Sequence, residues 1–371
     1  RILHVVGGMN RGGVETWLMD VLRHIDRSRF AMDFLVHTDQ PCAYDEEIRS
    51  LGSRIVSCPH SRHPWVYSRS LKRILQTFGP YKVIHSHVHH FSGYVLWLAR
   101  RLGLPSRIAH SHSDTLGHDM MAGIIRRPYL FLAKQSIGTN ATCGLAASRR
   151  AASALYGQNW ESDDRWRVLH CGVNLEPFRQ FVDRLAVRAD LGVPPDAFVI
   201  GHAGRFVAVK NHAFLVDIAA EAMRHQPHLR LLLVGDGPLR PAIEEKTREL
   251  GIADKTIFAG VRSDLPRLMI GAMDAFLFPS LYEGLGLVLI EAQAAGLPCV
   301  ISHTIPEEVE VIPHLMQRMK LTDSPSAWSE AVCATKTEGR RSTPSETVPR
   351  IETTSFNIAF STEELQRIYS E

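Results

Sequence analysis
The chain has 371 residues, 45% hydrophobic and 22% charged, with a formal net charge of +3. That length suits two domains, and the composition excludes disordered, collagenous and low-complexity classes for most of the chain. No apolar run nears the ~18–20 residues that cross a bilayer. The small net charge hides a split: residues 1–180 hold 23 Lys and Arg against 14 Asp and Glu, and residues 181–371 hold 19 against 25. Thirteen of the 19 histidines also fall before residue 181. Such polarity predicts two units with different partners. The six cysteines (Cys42, Cys58, Cys143, Cys171, Cys299, Cys333) lack metal-ligand spacing and read as reduced thiols of a cytoplasmic protein.

In chain order, ILHVV (2–6) reads as a strand rather than a signal peptide, followed by GGMNRGGVE and a helix over about Thr16–His24. AMDFLVHT (31–38), SRIVSCP (53–59), KVIHSHV (82–88) and SRIAHSHS (106–113) read as strands, with a helical YVLWLARRLG between the last two. GTNATCGLAAS (138–148) and WRVLHCGVN (166–174) close the first series. The pattern restarts with FVIGHAGR (198–205), LRLLLVGDG (229–237), a helix from Pro238 to Leu250, TIFAGV (256–261), AFLFPS (275–280), a helix over about Leu287–Ala295, and LPCVIS (297–302). Residues 334–355 read as a loop or weak helix, and STEELQRIYSE (361–371) as a final helix opened by a Ser/Thr cap. Strands alternating with helices predict two parallel sheets wrapped by helices, with the boundary near 175–195. Ligands of such sheets bind beyond the carboxyl ends of the strands, so the cleft between two of them is the expected pocket.

Four strand-end segments therefore matter. The glycines of GGMNRGGVE let the backbone approach a phosphate or sugar at a helix N-terminus, or simply make a βα turn; G-x-G-x-x-G is absent. Arg205 and Lys210 in GRFVAVKNH either converge on a diphosphate or are solvated charges. In EGLGLVLIEAQAAGLPCVIS, Glu283 lies in a loop and Glu291 in the following helix. Gly284 and Gly286 there free the amides of Leu287 and Val288, and the two carboxylates suit sugar and ribose hydroxyls. His85, His87, His89, His90, His110 and His112 form a polar wall. A metal site is disfavoured there for want of acidic partners, and the chain has no D-x-D clamp.

These segments, with HCGVN, FAGVRSDLP and the Glu–seven–Glu block with its GLP tail, resemble family 4 (group 1) glycosyltransferases over residues 7–302. The GGMNRGGVE and HSHSD segments are most similar to those of bacterial exopolysaccharide and capsular polysaccharide transferases. The resemblance implies an α/β fold of two facing Rossmann-like domains (GT-B). It implies an acceptor domain at 1–180, a nucleotide-sugar domain at 181–355, and a helix at 356–371 packing back on the first. It implies that Gly12 and Gly13 abut the donor diphosphate and acceptor, and that Arg205 and Lys210 clamp the diphosphate. Glu283 then holds the donor sugar, Leu287 and Val288 (after Gly286) donate to phosphates, and Glu291 holds the ribose. Val261 and Arg262 lie by the base, and His112, with His110 as its rival, lies near the reaction centre. The expected reaction is metal-independent, retaining transfer from a UDP-linked sugar to a glycan or lipid-linked acceptor. Arg62, Lys72, Arg73, Arg100, Arg101, Arg126 and Arg127 are expected to meet either anionic membrane headgroups, as in a peripheral cytoplasmic enzyme, or a lipid diphosphate acceptor. A sugar-nucleotide epimerase of the same fold and a silent sugar-nucleotide sensor are the rival readings. Nucleic-acid binding is disfavoured because the basic residues lack interleaved aromatics. The chain departs from the family where SHTIPEEVEVIP replaces the usual Gly-Gly after the last strand and His303 replaces an acidic residue.

Overall fold
The computed structural model describes residues 1–59, 63–115, 126–337 and 341–371. The chain divides into two compact units, residues 1–172 with 358–371 and residues 173–357.

Unit 1 contains β1 (Ile2–Val6), α1 (Gly13–His24), β2 (Met32–Val36), α2 (Asp45–Ser50), β3 (Ile55–Ser57), α3 (Pro64–Phe78), β4 (Val83–Ser86), α4 (Ser92–Arg101), β5 (Ser106–Ser111), α5 (Arg126–Asn140), β6 (Cys143–Ala146), α6 (Arg149–Tyr156) and β7 (Trp166–Val168). The parallel sheet runs β3-β2-β1-β4-β5-β6-β7. Its strand order reverses between β1 and β4. α1 starts at Gly13, earlier than Thr16, because Gly12 supplies an extended N-cap and Glu15 places an acid in the first turn. The strand expected over 138–148 narrows to β6, because Gly138–Asn140 finish α5.

Unit 2 contains α7 (Arg184–Asp190), β8 (Phe198–Ala203), α8 (His212–His225), β9 (Leu229–Val234), α9 (Arg240–Glu249), β10 (Thr256–Gly260), α10 (Leu265–Gly271), β11 (Ala275–Phe278), α11 (Leu287–Ala294), β12 (Cys299–Ser302), β13 (Met316–Met319), α12 (Pro325–Thr337) and α13 (Pro344–Glu352). Its parallel sheet runs β10-β9-β8-β11-β12-β13 and reverses between β8 and β11. Leu231, Leu233, Ala275, Leu277 and Val300 pack beneath Leu215, Ile218 and Trp328 to form its core.

The units part after Gly172 rather than after residue 180. Val173 already belongs to unit 2: its N–H donates to Phe356 O at 2.7 Å, and it bridges Asn357. Residues 341–355 hold more structure than a loop. Thr343 and Glu346 form a capping box ahead of α13, and Thr347, Val348 and Ile351 are buried. The last helix, α14 (Ile358–Ser370), begins before Ser361. Ser361 is therefore no cap: it is buried, accepting from Trp17 Nε1 at 3.3 Å, and α14 packs on α1.

The strands on either side of the unit 2 reversal are tied by one carboxylate. Asp274 Oδ2 accepts from Val199 N at 2.8 Å and from Arg188 Nη2 at 2.7 Å, and its Oδ1 pairs with Arg184 and Arg341. Arg188 is only 2% exposed. Asp274→Ala would strand that guanidinium and the Val199 amide, so the expected loss is about 3–5 kcal/mol. Urea unfolding checks this; a loss under about 1 kcal/mol, the range of surface pairs, contradicts it.

Candidate active site
In open parallel sheets the ligand crevice opens where the strand order reverses, beyond the carboxyl ends. In unit 2 that point lies between β8 and β11. The segment after β8 carries Arg205 and Lys210; the segment after β11 carries Glu283 to Glu291. The two are fastened together. Leu281 N donates to Val209 O at 2.8 Å, and Asn211 Nδ2 donates to Pro279 O at 3.2 Å. Asn211 adopts φ +55°, a left-handed conformation that Asn tolerates better than most residues, and so turns the chain into α8.

Within this frame Lys210 Nζ donates to Glu283 Oε1 at 2.7 Å. Both side chains are largely buried, and the ammonium also lies 4.9 Å from the centre of the Phe278 ring. Arg205 is exposed, in the same segment. Gly286, at φ +93°, is the N-cap of α11. Leu287 and Val288 open that helix, so their N–H groups have no intrahelical acceptor and offer the positive end of its dipole. Glu291 sits one turn on, half-buried. Two glycines hold the segment after β8 from the other side. A Cβ at Gly235 or Gly237 would collide with the backbone of Gly204 or Phe206. Val261 is exposed after β10, and Arg262 is held by Asp264 through bonds of 2.8 and 2.9 Å.

His202 and His212 lie beneath this arrangement and were not among the sequence candidates. Their rings are 4.8 Å apart, and His202 Nδ1 is 2.9 Å from Leu277 O. Burial pushes both imidazoles down, His212 to about 4, with Lys210 adding to the shift. An unfolded histidine titrates near 6.5. Below that pH the unfolded chain takes up a proton that folded His212 refuses until about pH 4. Stability therefore falls as pH drops through this window, by about 1.4 kcal/mol per pH unit per group. His212→Leu is expected to flatten the pH dependence of urea unfolding by that slope; an unchanged slope contradicts it.

Gly12, Gly13 and His112 are on unit 1. Gly12 and Gly13 open α1 at the β1 side of the reversal, and a side chain at Gly12 would collide with the Glu15 carboxylate. On the other side stands a stack of imidazoles. His4, His85 and His110 are at 0% exposure in the sheet, and His87 and His112, just past β4 and β5, are half-buried. His112, not His110, reaches the strand end. Burial pushes His4 and His112 down to about 3 and His85, His87 and His110 well below their ordinary value. Trp17 covers the stack edge-on, 5.3 Å from His110. A cavity of about 730 Å³, lined in part by Arg1, Lys82, Arg167 and Tyr369, lies at the opposite ends of these strands and touches no candidate residue.

The match to known families follows the same division. Residues 11–177 match the model of Glycosyltransferase Family 4, and residues 197–336 that of Glycosyl transferases group 1. EpsF of Bacillus subtilis (strain 168), which is named as a glycosyltransferase, is 38% identical over 92% of this chain and 88% of its own. This chain belongs to the group 1, family 4 glycosyltransferases. A D-inositol 3-phosphate glycosyltransferase of Saccharomonospora viridis is 32% identical over 68% of this chain and 62% of its own. Among solved structures, HepE of Anabaena in complex with UDP and glucose superposes with a TM-score of 0.82 at 18% identity, covering 100% of this chain and 99% of its own. WaaG, a glycosyltransferase involved in lipopolysaccharide biosynthesis, superposes at 0.76 with 16% identity and full coverage of both chains. The GT-B fold class, two Rossmann-like α/β domains, is thereby shown for this glycosyltransferase.

Proposed function
We propose that this glycosyltransferase moves a hexosyl or N-acetylhexosaminyl group from a UDP-linked donor to a hydroxyl of a glycan or lipid-linked acceptor, with retention, in exopolysaccharide, capsule or other surface-glycan synthesis. The observation that carries this reading is the meeting of Lys210 and Glu283 beside the α11 N-terminus at the unit 2 reversal. A nucleoside diphosphate needs cations and free amides there, and a sugar needs a fixed carboxylate. UDP bound to HepE and the lipopolysaccharide role of WaaG support the donor and the pathway class.

In the proposed step the bond from the anomeric carbon to the leaving phosphate oxygen breaks. The acceptor oxygen bonds to the same face of that carbon, and the acceptor proton passes to the leaving phosphate. Negative charge grows on that phosphate in an oxocarbenium-like transition state. Arg205, Lys210 and the amides of Leu287 and Val288 stabilise it in place of a metal. Glu283 orients the sugar, Glu291 holds the ribose, Val261 and Arg262 flank the base, and Gly12, Gly13 and His112 serve the reaction centre. Lys210→Ala is expected to lower kcat by about 10²–10³-fold, the scale of losing one charge-stabilising donor. The assay is UDP release with and without acceptor, alongside the anomeric configuration of the product by NMR. Full turnover by an Arg205→Ala/Lys210→Ala double variant sinks the clamp, and turnover that requires added Mg²⁺ or Mn²⁺ sinks metal independence.

The second part of the reading is attachment to an anionic membrane. No helix among the described residues is long and apolar enough to cross one. Instead Trp65 on α3 and Tyr129, Phe131 and Leu132 on α5 are at least half exposed, and Trp97 on α4 is 37% exposed under Arg101. Lys72, Arg73, Arg100, Arg101, Arg126 and Arg127 are exposed on the same three helices; Arg62 lies outside the described residues. Co-sedimentation with phosphatidylglycerol vesicles is expected to weaken with salt and with Phe131→Glu/Leu132→Glu. Salt-insensitive or absent binding contradicts attachment.

A further inference from the structure
The imidazole stack of unit 1 has an order beyond polarity. His87 Nδ1 lies 2.8 Å from His112 Nε2, and one nitrogen each from His87, His110 and His112 fall within 4.8 Å of one another. We propose that His87, His110 and His112 bind one divalent transition-metal ion of the zinc class through three imidazole nitrogens, leaving a fourth position open. Three nitrogen donors without a carboxylate suit zinc, nickel or copper and disfavour magnesium or calcium.

The outer nitrogens decide which atoms ligate. His87 Nε2 faces His4 Nδ1 at 3.1 Å, leaving Nδ1 for the ion. His110 Nδ1 faces His85 Nε2 at 3.1 Å, and its Nε2 is buried with no hydrogen-bond partner among the described residues. His112 Nδ1 lies 3.7 Å from Cys171 Sγ, leaving Nε2. Each ligand thus has a second partner that fixes its ring, as ligating histidines in general do. His85 is itself held by the Tyr369 hydroxyl at 2.8 Å. Zinc–nitrogen bonds of 2.0–2.1 Å set tetrahedral ligands about 3.3 Å apart, so His87 and His112 need open by only about half an ångström. The proton between them moves to an outer nitrogen, and each imidazole keeps one proton while giving one lone pair. His87 and His112 are half-buried, which provides an entry path. The neighbouring trio His4, His85 and His87 lacks one, since His4 and His85 are sealed at 0% exposure. Among the described residues the trio includes no carboxylate ligand, so the open position takes hydroxide or another anion.

The site shares His112 with the transfer reading, so the test reads the metal rather than turnover and can fail while that reading stands. Co²⁺ titrated into the full chain is expected to give a one-to-one, four-coordinate visible band that Zn²⁺ abolishes. X-ray absorption of the zinc form is expected to show three imidazoles and one oxygen. His87→Ala/His112→Ala should weaken affinity on the order of 100-fold or more, beyond the 10–100-fold typical of losing an outer partner. Tyr369→Phe should cost less than that double change, and the exposed pair His225→Ala/His228→Ala should cost nothing. Absence of a band, a band kept by the double variant, loss of it in the exposed pair, or sulfur in the zinc shell overturns the proposal. The absorption measurement uses the native protein, so it decides even where a variant fails to fold.

Discussion
The carboxylate of Asp274 governs the geometry of unit 2. It joins the entrance of β11 to the amide of Val199 in β8 while neutralising the buried Arg188. These are the two strands on either side of the reversal, and their far ends carry Lys210 and Glu283. A buried ion network of this kind adds little net stability against an apolar substitute, yet removing one member is costly. Its value here lies in register: β8 and β11 are fixed at one end, so the two candidate segments leave the sheet at a set separation and meet in a 2.7 Å ion pair. In the proposed reading, an anion arriving at Lys210 finds a cation already oriented and shares it with Glu283.

Most of both sheets was legible from apolar runs, because strands buried on both faces read as continuous Val, Ile and Leu. β13 was not, since Met316–Met319 interleaves Gln317 and Arg318, and only structure reveals that Arg318 donates to Ile305 O at 2.6 Å and pairs with Glu310. The Glu310 partner lies in the segment that departs from the family pattern. α13 was legible only as a loop or weak helix because its composition is polar, although Thr343 and Glu346 carried the spacing of a capping box. The candidate site was legible as positions after strands. The Lys210–Glu283 bond was not, because residues 73 apart in sequence reveal no contact until the sheet is ordered. Asn211 left a trace, an Asn directly before a helix. His202 and His212 left none.

The histidines show the same limit in another form. Their alternation along β4 and β5 placed them on one face of the sheet, and their number marked the face as polar. Which nitrogen meets which neighbour is set by β1 as well as by β4 and β5, and by Tyr369 arriving from the far end of the chain. Doubt about a metal rested on missing carboxylates. In the proposed site their place is taken by a second ring of imidazoles, a hydroxyl and a thiol.

The path of the chain also has a consequence for how the molecule is assembled as a polymer. Unit 1 is discontinuous, and unit 2 begins and ends at neighbouring residues: Val173 donates to Phe356 O and bridges Asn357. In the terms of gene architecture, unit 2 is an insert whose ends are stapled side by side, and α14 is the returning fragment of its host. A ribosome must therefore finish the whole insert before the host's last helix exists to cover Trp17 and reach His85. Unit 1 is therefore completed only after unit 2, and the imidazole stack waits for α14.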